Sequence, residues 1–172
     1  DEVNSMLRSF KAPKIKLPSA VTAFTEGEKY FILHPKSQGS AKEWPLDKYF
    51  ALANKLNDQG HRVIFTGTQA EGDLFRDQLP VNNLTFDSTG KLTLSELITL
   101  ISGANGLIAC STGPLHIAGI LNRKAIGIFS PRKPIHPGRW QPLGAKSNAL
   151  VYDKDCSRCK KGEDCSCLEK IS

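Results

Sequence analysis

Short apolar runs alternate along this chain with stretches long enough for a helix, and no other feature restricts its fold as much. The runs are KYFILH (29–34), RVIFTG (62–67), LTFD (84–87), GLIAC (106–110) and AIGIF (125–129). Nearly continuous apolar character over four to six residues is the pattern of a strand buried on both faces. After the first run, Leu46, Tyr49, Phe50, Ala53 and Leu56 recur at helical spacing, and Gly60 stands where a helix-terminating glycine belongs. A polar helix is predicted over roughly 69–79. Thr93 and Glu96 form a capping box ahead of Leu94, Leu97, Ile98 and Ile101, which predicts a helix reaching Ala104. STGPLHIAGIL (111–121) turns into a further helix, residues 130–147 read as a Pro- and Gly-rich loop, and NALVYD (148–153) supplies a last strand. Such an order predicts an α/β fold with a parallel sheet and helices on both faces. Sheets of this kind bind ligands at the carboxyl ends of their strands.

The chain has 172 residues, 40% of them hydrophobic, enough for one domain with a real core. Residues 1–27 read as a lead-in segment that begins with a short helix, 28–153 as the domain, and 154–172 as a Cys-rich basic tail. A formal charge of +6 points to an anionic partner: phosphate groups, nucleic acid or a membrane surface. No apolar run reaches the roughly 18 residues of a membrane-crossing helix. The start, DEVNSMLRSF, lacks the layout of a secretory signal. A soluble, cytoplasmic protein is the expectation.

Two loops at the expected carboxyl edge stand out. KSQGSAK (36–42) combines small residues with Ser37, Ser40 and Lys42, groups able to donate to phosphate oxygens. STGPLH (111–116) leaves a strand and enters a helix, with Ser111 or Thr112 as N-cap and Pro114 in the first turn. Main-chain N–H groups and the helix dipole make an anion site there. Each loop alone has an ordinary reading: a capped helix start, a solvated Lys42, a packing His116. Together they suit a pyrophosphate. Other phosphate signatures are missing. Thr89-Gly90-Lys91 is followed by Leu92, and Thr85 occupies the place of the first P-loop glycine; GTQAEG (67–72) has the wrong spacing for a dinucleotide fingerprint. A nucleotide kinase and a standard dinucleotide dehydrogenase are thereby disfavoured.

The series HPKSQGSAKEWP (34–45), VIFTGTQAEGD (63–73), LISGANGLIACSTGPLHIAGIL (100–121) and IGIFSPRKPIHPGRWQPLG (126–144) resembles the C-terminal half of glycosyltransferase family nine, the lipopolysaccharide heptosyltransferases. The resemblance implies one Rossmann-like half of a GT-B enzyme, the half that binds the nucleotide-sugar donor, with ADP-heptose as that donor. It implies donor-phosphate contacts at Ser37, Gln38 and Lys42, with Lys42 stabilising the leaving diphosphate, beside the Ser40 already read from the loop. Glu71 would meet the nucleoside, with Thr66, Gly67 and Thr68 on the same edge. Thr112, Gly113, Pro114, Leu115 and His116 would cradle pyrophosphate and sugar. Ser111 stands where the family usually has aspartate, a shorter neutral group for sugar hydroxyls. Inverting transfer is implied, with the general base on the acceptor half and no cofactor or tightly held metal. The implied partners are the nucleotide-sugar donor and, through the other half, a lipid A-core type acceptor, with peripheral contact at the inner membrane.

Cys156-x-x-Cys159 and Cys165-x-Cys167 form a tail cluster that is either a metal site, a set of reduced thiols or a disulfide. Its tight second pair departs from a standard zinc ribbon. Lys154, Arg158, Lys160 and Lys161 either solubilise the tail or favour an acidic membrane surface. Besides the donor half of an enzyme, a non-catalytic nucleotide-sugar binding module fits this length. Nucleic-acid binding has only charge behind it, without interleaved aromatics.

Overall fold

The computed structural model describes residues 5, 6, 9–164 and 166–172. Six parallel strands form one sheet in the order β3-β2-β1-β4-β5-β6. The strands are β1 (Tyr30–His34), β2 (Arg62–Phe65), β3 (Thr85–Asp87), β4 (Gly106–Ala109), β5 (Lys124–Ile128) and β6 (Ser147–Leu150). The chain steps outward from β1 to β3, returns to lay β4 beside β1, and steps outward again on the other side. Leu33 pairs with Ile108 and His34 with Ala109 at that switch point. A parallel sheet opens its binding crevice where the strand order reverses. Here the loops that leave β1 and β4 are the two singled out in the sequence.

Successive strand residues point to opposite faces, so each run serves two cores. On one face Ile32, Ile64, Leu107 and Ala125 pack beneath helices α1 (Ser19–Thr25), α4 (Leu94–Gly103) and α5 (Gly113–Ile120), through Val21, Leu100, Ile101, Leu115 and Ala118. On the other, Leu33, Val63, Phe65, Ile108 and Ile128 meet Tyr49 and Ala53 of α2 (Leu46–Asp58). The capping box predicted at Thr93 forms: its hydroxyl accepts from the Glu96 N–H, and the Glu96 carboxylate accepts from the Thr93 N–H at 2.7 Å. Gly60 adopts φ +78°, the left-handed conformation that ends α2.

Three expectations need revision. The helix expected over 69–79 is split into α3 (Gln69–Asp73) and a 3-10 turn, Arg76–Gln78. Tertiary contacts break it: Phe75 is buried in the second core, and Arg76 reaches Asp87 at 2.7 Å and Thr89 at 2.9 Å. The loop over 130–147 contains a short helix, α6 (Pro137–Trp140). Residues 28 and 153 do not bound the core, because Val21 upstream is 1% exposed and Leu168 downstream 2%. The helix expected at the very start falls partly outside the described residues.

Candidate functional site

At the carboxyl ends of β1, β2 and β4 lies a cavity of about 520 Å³. The β1 loop contributes Ser37, Gln38 and Ser40, the β2 edge Thr66, Gly67, Thr68 and Glu71, and the α5 start Thr112, Gly113 and Pro114. A second cavity of about 490 Å³ shares Ser40, Thr112 and Gly113 with the first and adds Ser111 and His116. The two spaces therefore meet at the N-terminus of α5. Volumes of this size suit small-molecule ligands.

The β1 loop is held in shape by Glu43, which the sequence reading missed. One carboxylate oxygen accepts from the Ser37 N–H at 2.8 Å and lies 3.0 Å from the Ser37 hydroxyl; the other pairs with Lys36. Ser40 donates its hydroxyl to the Ser37 carbonyl at 2.7 Å. The side-chain donors expected to face phosphate are thus engaged within the loop. What the turn presents instead is main chain: Gln38 and Gly39 take φ +50° and +80°, and their N–H groups donate to no protein group among the described residues. A non-glycine residue in this region is strained by about 1 kcal/mol or more, and such strain clusters at ligand clamps. Lys42 lines neither cavity; its ammonium lies 3.1 Å from the carboxylate of Asp164 in the tail.

At the β4 edge the N-cap of α5 is Thr112, in extended conformation, with Pro114 in the first turn. Its hydroxyl makes no capping bond and is buried without a hydrogen-bond partner among the described residues. An unsatisfied buried hydroxyl costs roughly 1–3 kcal/mol, so its persistence calls for a cause outside the protein's own groups. A Cβ at Gly113 would meet nothing within 4 Å, which leaves the helix start open to a ligand. Leu115, expected in the cradle, is a core residue with a fully buried side chain; only its main chain is available to a ligand. Burial holds the His116 imidazole below its usual pKa, and its ring meets Trp140 edge-on at 6.1 Å between centroids. Arg139 lies over Trp140 at 5.4 Å. Both belong to the second cavity, and neither was found as a site residue, because a Pro- and Gly-rich loop carries no period that would aim them.

The β2 edge is built on a capping box. The Glu71 carboxylate accepts from the Thr68 N–H at 2.8 Å, and the Thr68 hydroxyl accepts from the Glu71 N–H at 3.3 Å. The carboxylate makes its contacts with the Thr68 N–H and hydroxyl through Oε2, and Oε1 has no partner among the described residues. Next to it His34 Nδ1 lies 2.9 Å from the Thr66 hydroxyl. Burial pushes the His34 pKa down, with Glu71 and Glu43 pulling weakly the other way, so the ring is neutral near pH 7. Leu92 and Leu97 add an apolar wall to this cavity. Leu97 belongs to the helical pattern read from the sequence, whereas Leu92 precedes the helix and has no periodic signal.

In the tail, the sulfurs of Cys156, Cys159 and Cys167 lie within 4.8 Å of one another. Cys165 lies outside the described residues. Asp153 and Asp155 flank Lys154 there, but they pair locally: Asp153 caps the Asp155 N–H and Asp155 binds Lys160.

Among known proteins, the signature of Glycosyltransferase family 9 (heptosyltransferase) matches residues 7–169. Lipooligosaccharide heptosyltransferase 2 of Haemophilus influenzae is 28% identical over 131 residues, covering 73% of this chain and 37% of that protein. The structure of E. coli ADP-heptose lps heptosyltransferase II superposes with a TM-score of 0.69 at 20% identity, over 93% of this chain and 50% of that one. E. coli heptosyltransferase WaaC, solved with ADP, gives 0.63 at 16% identity, over 85% of this chain and 47% of that one. The six-stranded parallel sheet with its flanking helices matches these GT-B structures. The chain spans half or less of the length of these relatives. With most of its length matched, the chain belongs to glycosyltransferase family 9, the heptosyltransferase family.

Proposed function

We propose that the chain is the donor-binding half of an inverting heptosyltransferase of lipopolysaccharide core synthesis, taking ADP-heptose. One observation carries this reading: two joined cavities meet at a helix N-terminus where a buried Thr112 hydroxyl lacks a partner among the described residues. The diphosphate sits at that junction, on the α5 amides and the free amides of Gln38 and Gly39. The nucleoside occupies the first cavity, with Oε1 of Glu71 accepting from ribose hydroxyls and Leu92 and Leu97 against the base. The sugar fills the second, facing Ser111, His116 and Trp140. The WaaC structure solved with ADP favours adenine.

In transfer, an acceptor hydroxyl attacks the anomeric carbon, the bond to the diphosphate breaks with inversion, and the hydroxyl proton passes to a base on the acceptor half. This half stabilises charge on the departing diphosphate with donors fixed in advance. Lys42 contributes by leaving Asp164, since an exposed ion pair is worth only about 0–1 kcal/mol. The fragment alone is inactive in transfer. The lipid A-core acceptor reaches the site through the other half, with the whole enzyme cytoplasmic and peripheral to the inner membrane. No helix among the described residues is long and apolar enough to cross a membrane.

Calorimetric titration with ADP and UDP tests the reading. ADP binds, and Thr112→Val weakens it about tenfold, the loss of one hydrogen bond to a charged group at roughly 1.5 kcal/mol. The same variant keeps its thermal stability, because the hydroxyl has no partner among the described residues. Absence of ADP binding, or equal binding by Thr112→Val, rejects the proposal.

A further inference from the structure

We propose that Cys156, Cys159 and Cys167 form a thiolate site for a zinc-class cation, which pins the tail against the loop that follows β1. The proposal is independent of donor binding. Bonds of about 2.3 Å from a tetrahedral zinc place its sulfur ligands about 3.8 Å apart. The three sulfurs all lie within 4.8 Å of one another, so small side-chain movements bring them to one ion. Cys159 and Cys167 are buried, which shields the centre from water.

The surroundings suit a thiolate cluster. Three thiolates around a divalent cation carry one net negative charge, and the helical turn that bears Cys159 is basic, with Arg158 and Lys160 paired to Glu163 and Asp155. Residues 153–172 contain one four-residue helix, Ser157–Lys160, as their regular structure among the described residues. Segments so short rarely hold themselves without a staple. Yet the tail makes exact demands on its position: Leu168 enters the second core, the Ile171 carbonyl accepts from the Trp44 indole at 3.2 Å, and Asp164 reaches Lys42. A metal centre between Asp153 and Leu168 supplies the missing restraint.

Cys159 carries a disulfide in this structure, whereas Cys156 and Cys167 are thiols beside it. A disulfide alone makes no use of those two neighbours. Conversion to the metal-binding form takes two electrons and two protons from a dithiol reductant, which closes to its own disulfide. Each cysteine that then ligates the cation releases its thiol proton to water, and a fourth donor completes the tetrahedron.

The experiment uses the full chain, reduced with a dithiol, freed from it without oxygen, and titrated with Zn²⁺ against a chromophoric chelator. One zinc binds per chain, and Co²⁺ in its place gives a thiolate-to-cobalt charge-transfer band. Cys156→Ser and Cys167→Ser each lower zinc affinity by more than about tenfold, the loss that disturbing even an outer-shell partner causes. Far-UV circular dichroism checks that the variants keep the sheet; if they do not, the cobalt spectrum of the unaltered chain decides. No stoichiometric zinc, a cobalt spectrum without thiolate bands, or unchanged affinity in both folded variants overturns the proposal.

Discussion

His34 ends β1 with its ring against Thr66, at the wall of the first cavity. Because burial depresses its pKa, the unfolded chain takes up a proton near pH 6.5 while the folded chain resists. Folding stability is therefore full above about pH 6.5 and declines as pH falls toward the folded-state value. Denaturant unfolding across this range should show a smaller loss in His34→Asn, whose amide can still meet Thr66. Equal losses in both proteins would remove His34 as a source of the pH dependence; His116, shifted the same way, accounts for a remainder. Residue by residue, Thr112 and His116 stand out in the sequence because they follow a buried strand at a helix start, whereas Glu71 is singled out only by the family resemblance. Leu115 was misplaced because its neighbours face the cavity, whereas helical geometry turns its own side chain into the core.

Helix α5 joins fold and site. Its apolar residues pack on β4 and β5, and its first turn stays open at Gly113. Gly113→Ala adds a methyl where nothing lies within 4 Å and where φ is not left-handed. The substitution should leave thermal stability unchanged or raise it by about 0.4–1 kcal/mol, by reducing the freedom of the unfolded chain. ADP affinity should fall, because the methyl occupies the approach to the α5 amides. Calorimetry and a melting curve on one sample read both quantities, and unaltered ADP binding would place the phosphates elsewhere. Capping chemistry explains which elements could be read directly. Thr93 and Glu96 announce α4, and Thr68 with Glu71 makes the same pair one helix earlier, where it was read only through family resemblance. The break after α3 was not legible, since Phe75 and Arg76 leave helical geometry to reach partners on β3 and in the core.

Across the whole molecule, the tail is part of the second core. Leu168 contacts a cluster that includes Trp44, Tyr49 and Ile128. Leu168→Ala should destabilise the chain by about 2–5 kcal/mol, the range for emptying a buried leucine site; a change below that in urea unfolding would mean the tail is only loosely held. A basic, Cys-rich composition reads locally as solvated, which is why the sequence placed residues 154–172 outside the domain. Periodicity, capping pairs and the two loops determined the class of fold and the sheet edge at which the cavities lie, because these depend on neighbours a few residues apart. The return of β4 to the side of β1 and the binding of Lys42 by Asp164 were decided only in the folded chain. Each joins groups far apart along the chain, and local spacing carries no information about such distances.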